Sequence, residues 1–352
     1  MPSEERTRKR YGAFAELVRS PKRPGRWLVL THDNPDPDAI ASAAILGRIL
    51  RNGFKQKVTL AYAGIVGRAE NRELLKVLGV KLSHLRHLNL RVYRRFALVD
   101  AQPFTGNSQL PEGTVPDLVF DHHPVRQPVE EVPYADIRED YGSTATILAE
   151  YLDVSGLPFP KSLATAVVYA IRSETQEFGR EYTKADKAVY DRLLPETDRR
   201  ALARIQNARL PVSYFKNLHE ALENLETVDT LVVSHLSEVD QPDIVPEIAD
   251  LLLRMEGKTW SLSTGRFGDR IYLSIRTTNP RADAGAVMRR LLGRRGKGGG
   301  HGMVAGGWFP LERPPAGTGG DPMALQTVLA RRLARALRKS VDKLTPLDLQ
   351  AT

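Results

Sequence analysis

The 352 residues contain no cysteine. Disulfides and thiolate metal ligands are therefore excluded, and any bound metal must be held by nitrogen and oxygen. No apolar run approaches a membrane span, and the opening Met1-Pro2-Ser3-Glu4-Glu5-Arg6 has neither the basic lead nor the apolar segment of a signal peptide. These absences predict a cytoplasmic chain without a membrane partner. No repeat of fixed period is present either. Acidic residues are in the minority, 42 against 51 Lys and Arg, for a formal charge of +9. Such an excess favours nucleotides, short nucleic acids or phosphates as ligands, although it can equally be spread over solvated faces. A 41% hydrophobic content is enough for two ordinary cores.

The most informative stretch is Leu28-Val29-Leu30-Thr31-His32-Asp33-Asn34-Pro35-Asp36-Pro37-Asp38-Ala39. An apolar run of strand character reaches a histidine and then two carboxylates two positions apart. A helical pattern follows at Ile40, Ala44, Ile45 and Ile49. In open parallel sheets, ligands bind where strands end. Imidazole plus carboxylate suits Mn²⁺, Fe²⁺, Co²⁺ or Zn²⁺ better than Mg²⁺. The same Asp and Pro residues also suit a turn closed by a helix N-cap. A second instance, Asp117-Leu118-Val119-Phe120-Asp121-His122-His123-Pro124, again takes a short apolar run into a ligand cluster. One of its imidazoles can ligate a metal while the other meets a substrate. Asp121 is expected to orient a ligating histidine rather than bind metal itself.

Along the chain, a helix is predicted from Thr7 to Ser20, then strands over 27–31, 57–62 and 96–100, with helices over 38–51 and 68–78. This alternation implies parallel strands with crossover helices, an α/β unit. Helices are expected from 141 to 151, 163 to 171, 184 to 194, 197 to 209 and 212 to 225. Strands over 231–234, 259–263 and 270–276, with helices over 246–255, 284–292 and 322–339, predict a smaller mixed α/β domain. The tail from 343 to 352 is expected to be loose. Gly296-Lys297-Gly298-Gly299-Gly300-His301-Gly302 allows backbone amides to approach an anion, or forms a flexible linker. It lacks the Gly-Lys-Ser/Thr of a P-loop.

Taken in order, His32-x-x-Pro35-Asp36-x-Asp38, Leu98-Val99-Asp100, Asp121-His122-His123 and Gly298-Gly299-Gly300-His301 resemble the successive motifs of the DHH phosphoesterases. Within that superfamily, chain length and the glycine-rich stretch are similar to the NrnA-like oligoribonuclease and phosphoadenosine-phosphate phosphatase branch, related to RecJ. The resemblance covers about Arg26 to Gly307. It implies a parallel-sheet DHH domain over 1–195, a helical linker over 196–227 and a smaller C-terminal substrate-binding domain over 228–345. It also implies two divalent cations, expected to be Mn²⁺. His32, Asp36 and Asp100 would hold one, and Asp38, Asp100, His122 and Glu174 the other, with Asp100 bridging them. His123 would face the reacting phosphoryl group.

Two departures stand out. Relatives place an Asp where this chain has Glu174, and Ala305-Gly306-Gly307 follows His301 after three residues where relatives commonly have two. The resemblance assigns Arg276, Gly298, Gly299, Gly300 and His301 to substrate binding, and short RNA or a nucleotide as the partner. A homodimer is left open. The rival expectations are a RecJ-like single-strand exonuclease and a nucleotide-binding regulator whose metal site has weakened at Glu174.

Overall fold

Pro21 and the Pro24-Gly25 pair interrupt the chain after a basic helix, and from there strands and helices alternate. The computed structural model describes residues 3–21, 24–111, 113–125, 129–179, 181–312 and 321–347. Two compact units result, Met1–Arg209 and Leu210–Thr352. The first contains α1 (Ser3–Arg19), β1 (Arg26–Leu30), α2 (Pro37–Arg48), β2 (Val58–Tyr62), α3 (Ala69–Leu78), β3 (Leu82–His84), β4 (Tyr93–Val99), β5 (Leu118–Asp121), β6 (Tyr134–Ile137), α4 (Thr144–Val154), α5 (Lys161–Glu174), α6 (Lys184–Leu193) and α7 (Arg199–Gln206).

Its six strands are all parallel, in the order β3-β2-β1-β4-β5-β6. Side chains alternate between two buried faces. Trp27, Val29, Val99 and Phe120 join the core beneath α1, α2, α4 and α5, whereas Leu28, Leu30, Leu98 and Val119 pack on the other side. Burial on both faces is why β1, β4 and β5 read as unbroken apolar runs. The order reverses between β1 and β4: the chain grows outward through β2 and β3, then returns to the opposite side of β1. A crevice opens at such a switch point, beyond the carboxyl ends of the strands.

The second unit contains α8 (Val212–Glu223), β7 (Leu225–Val228), β8 (Leu231–Glu238), α9 (Ile244–Leu252), β9 (Trp260–Phe267), β10 (Arg270–Thr277), α10 (Ala284–Leu292), β11 (Lys297–His301), β12 (Val304–Pro310), α11 (Pro322–Ala336) and β13 (Thr345–Pro346). Its sheet runs β11-β12-β10-β9-β8-β7-β13, antiparallel except for the β8–β9 pair. The expected α/β class, a parallel-sheet domain with a separate mixed unit, is the one found.

The glycine-rich stretch differs from expectation. It is neither loop nor linker but strand β11, with Gly298 opposite Gly307 and Gly300 opposite Ala305. Close packing is the reason: a Cβ on Gly298 would lie 2.5 Å from Leu292 and 2.6 Å from the Gly306 carbonyl, and one on Gly300 would collide with Val304 and Ala305. The segment 196–227 is shared between the units. Ile205 on α7 is buried in the first core and Ala221 on α8 in the second. In the tail, Thr345 and Pro346 pair with β7, while 348–352 lie outside the described residues.

Candidate metal centre

At the switch point, β1 delivers His32 and β4 delivers Asp100. Asp100 is buried and adopts a left-handed backbone with φ 55°. Its two carboxylate oxygens face different neighbours. Oδ2 lies 3.5 Å from His32 Nε2, while Oδ1 lies 3.7 Å from His122 Nε2 and 3.6 Å from His123 Nδ1. His32 Nε2 is also 3.7 Å from Asp36 Oδ1, and His122 Nε2 is 3.9 Å from Asp38 Oδ2. Two groups of candidate ligand atoms thereby share Asp100: His32, Asp36 and Asp100, and Asp100, His122 and His123. The two readings of the Pro-Asp-Pro-Asp loop coexist, because Asp36 also caps α2 by accepting from the Ala39 amide at 3.0 Å.

The chemistry of the donors fits divalent cations. His32 Nδ1 lies 2.8 Å from the Asp33 carbonyl and His122 Nδ1 lies 3.1 Å from the Tyr141 carbonyl. A carbonyl only accepts, so these contacts assign each proton to Nδ1 and leave the Nε2 lone pair facing the carboxylates. His122 Nε2 is buried with no hydrogen-bond partner. An aimed imidazole lone pair with its other nitrogen anchored is the usual form of a metal ligand.

The charges say the same. Against the downward pull of burial, Asp100, Asp38 and Glu174 raise the His122 imidazole to about 9. His32 is likewise held well above its ordinary value, burial being outweighed by Asp100 and Asp36. Burial, then Asp100, pushes Asp38 up, and burial, then Asp36, pushes Glu174 up to about 7. Asp36 is instead held well below the usual carboxylate range, where the His32 contact overcomes the push of burial. Carboxylates crowded this closely repel, and cations relieve that repulsion more fully than protons do.

Asp121 engages the second histidine of its cluster. Its Oδ1 accepts from the His123 ring at 2.9 Å and from the backbone amides of His122 and His123, and its Oδ2 accepts from Gln102 Nε2 at 2.7 Å. Asp121 therefore orients His123, and the Tyr141 carbonyl orients His122.

The entry to α4, read from sequence only as the start of a helix, forms a further wall. Thr144 and Ala145 amides donate to the two oxygens of Asp38, each at 2.7 Å, and Thr144 Oγ1 donates to Asp100 Oδ1 at 3.0 Å. Asp38 Oδ1 also accepts from Ser42 Oγ at 3.5 Å, and Asp38 Oδ2 keeps a second lone pair for a cation. The Tyr141–Gly142 peptide is held at both ends, its carbonyl on His122 and its Gly142 amide on Asp186 Oδ2 at 2.8 Å. Gln102, Thr144 and Asp186 carried no sequence signal, since each acts through a hydrogen bond that no motif spacing records.

The structure thus gathers His32, Asp36, Asp38, Asp100, His122, His123 and Glu174 in the first unit. Arg276, Gly298, Gly299, Gly300 and His301 belong to the second. There Arg276 is engaged by Asp250 on α9, Nε to Oδ1 at 2.5 Å, and by Ser274 Oγ at 2.6 Å. The three glycines lie in β11. His301 ends that strand opposite Val304, and its side chain is outside the described residues.

A buried parallel sheet with a His and Asp constellation at its switch point, followed by a mixed-sheet unit, defines an α/β protein built to bind metal. Residues 26–171 match the DHH family, N-terminal domain, and residues 229–316 match the DHHA1 domain. The chain belongs to the DHH phosphoesterase superfamily, whose members are typically metal-dependent hydrolases. Over 286 residues it is 34% identical to an uncharacterized protein of Methanocaldococcus jannaschii, covering 81% of this chain and 58% of that one. Over 290 residues it is 23% identical to the A-adding tRNA nucleotidyltransferase of Geobacter sulfurreducens, covering 79% and 32%. The chain therefore spans about half the length or less of these relatives.

In fold, it resembles an exopolyphosphatase-related protein from Bacteroides fragilis, with a TM-score of 0.72 and 15% identity, covering 93% of this chain and 96% of that one. The DHH domain of a protein assigned to a ribosomal-protein family has a TM-score of 0.50 and 13% identity, covering 96% and 92%. Among the described residues, no helix is long and apolar enough to cross a membrane.

Proposed function

We propose that this chain hydrolyses phosphoesters in short oligoribonucleotides, linear dinucleotides or phosphoadenosine phosphate, with two divalent cations, Mn²⁺ in the first instance, as cofactor. The observation that carries this reading is Asp100, whose oxygens face separate nitrogen donors, His32 on one side and His122 on the other. A carboxylate so placed can serve two ions at once. A pair of divalent cations held there would supply acidification of a water and neutralisation of charge on the entering and leaving oxygens.

The remaining roles fall to the protein. His32, Asp36, Asp38, Asp100, His122 and Glu174 would hold the pair. Glu174 keeps the charge of the more usual aspartate, and the influence of Asp36, His122 and Asp100 on its carboxyl supports counting it with the centre. Asp121 holds the His123 ring by Nδ1 and helps keep it protonated, so that Nε2, directed away from Asp121, can donate to a phosphoryl oxygen or to the leaving group. No side-chain nucleophile is required. Arg276 and β11 are assigned to binding one end of the substrate.

The test is Mn²⁺-dependent release of mononucleotides from short RNA, or of phosphate from phosphoadenosine phosphate, together with elemental analysis. About two equivalents of metal and turnover of one of these substrates are expected, and Asp100→Ala should abolish turnover. Absence of turnover with every divalent metal tried overturns the reading. A metal-free protein that still binds nucleotide would instead identify a regulator.

A further inference from the structure

On the other side of β1 from Asp100, the neighbouring strands β2 and β3 both end in aromatic rings at the carboxyl edge of the sheet. Tyr62 and His84 are register partners, with ring centroids 5.1 Å apart and planes at 73°. The His84 ring is pinned at both nitrogens. Nε2 lies 3.0 Å from the Gly64 carbonyl, and Nδ1 accepts from the Arg86 amide at 3.1 Å. Together with Ile65, Leu82, Arg72 and Arg86, the two rings line a cavity of about 550 Å³. Among the described residues that line it, none is acidic.

That volume falls in the range of small-molecule sites, roughly 300–1,000 Å³. Rigid rings offer a stacking surface and guanidinium groups grip phosphate oxygens, a combination that selects a flat ring carrying an anion. Hydrogen bonds tie the cavity's surroundings to the metal loop. The Ile65 amide donates to Asn34 Oδ1 at 2.7 Å, the Asn34 amide to the Ala63 carbonyl at 3.1 Å, and Asn71 Nδ2 on α3 to the Pro35 carbonyl at 3.1 Å. A ligand seated there meets Ile65, whose amide holds the segment that leads into Asp36.

We infer that this cavity is a nucleotide subsite, taking the base and phosphate of the residue next to the scissile phosphoester. It is a subsite of the phosphoesterase centre proposed above and rests on that reading. A preference for substrates with a nucleotide on this side of the cleaved bond follows.

The experiment compares the full-length protein with Tyr62→Leu and with Arg86→Gln, the second at an exposed position where folding is not at stake. Steady-state kinetics on a dinucleotide should show KM raised about 10-fold in each variant with kcat within about 2-fold, the loss of one stacking or phosphate contact. Titration of adenosine monophosphate, followed by the imidazole NMR signals of His84, should show saturable shifts that weaken about 10-fold in the variants. Unchanged KM, or His84 signals indifferent to the nucleotide, overturns the subsite. Should the unaltered protein cleave no phosphoester, the functional reading falls, and the His84 titration still decides whether the cavity binds nucleotide.

Discussion

Hydrogen bonds to two backbone carbonyls decide what His32 and His122 can do. With Nδ1 committed to Asp33 and Tyr141, each ring presents a lone pair to carboxylates that attract protons strongly when no cation is present. Metal must therefore displace protons from His122, held at about 9, and Glu174, held at about 7. In the metal-free protein both groups bind protons more tightly folded than unfolded. Their contribution to stability is full at low pH and declines as pH rises through these two values. Metal-free thermal midpoints should accordingly lose this contribution between about pH 4.5, the ordinary value of a glutamate, and about pH 9, while the Mn²⁺-induced rise in midpoint grows over the same interval. A Mn²⁺ effect that shrinks as pH rises would contradict the assignment. His32, Asp36, Asp100 and His122 were all legible in the sequence, because each directly follows a strand or opens a helix. Gln102 was not: its amide reaches Asp121 across nineteen positions, from a loop with no distinguishing pattern.

One element carries more of the centre than its sequence suggests. The turn from Tyr141 to Ala145 presents a carbonyl to His122, two amides to Asp38 and a hydroxyl to Asp100, and backbone donors are the same whatever residue bears them. Only Gly142 leaves a trace. A Cβ there would stand 2.9 Å from the Glu181 carbonyl, 3.0 Å from Thr175 Cγ2 and 3.1 Å from Asp186 Oδ2. Gly142→Ala and Asp186→Ala should each shift the Tyr141 carbonyl and weaken Mn²⁺ binding about 10- to 100-fold, the usual cost of losing a group that orients a ligand. Mn²⁺ titration measures this; affinity unaltered in both variants would mean that the turn is held without Asp186. The three-residue β3 and the four-residue β6 escaped the sequence reading for a different reason: neither is long enough to show a period.

For the molecule as a whole, alternating strands and helices announced a parallel sheet, but not where its order would reverse. That point depends on β4 returning to β1 rather than adding beside β3, and the choice is made by packing on both faces. One buried contact on this seam is purely architectural. Arg95 on β4 pairs with Asp117 at 3.0 Å, and its guanidinium stacks over Trp27 of β1 at 4.2 Å. Removing the carboxylate leaves a buried cation, at a cost of about 3–5 kcal/mol. Asp117→Ala should lower the denaturant midpoint accordingly while the folded fraction keeps its Mn²⁺ affinity, the opposite signature to the Asp186 variant. Equal loss of metal affinity in the two would show that the centre is sensitive to any weakening of the sheet. That the glycine stretch forms a strand and not a linker was likewise not legible, since nothing local shows that its glycines admit a neighbouring chain.

The left-handed turn at Asp100 makes some residues costlier than others at that position. Most side chains there would cost roughly 1–2 kcal/mol in backbone geometry alone, and only glycine, asparagine and aspartate enter that region readily. Of these three, only aspartate brings a negative charge. Asparagine or glycine at 100 would therefore keep the backbone turn while removing the charge that faces His32 and His122.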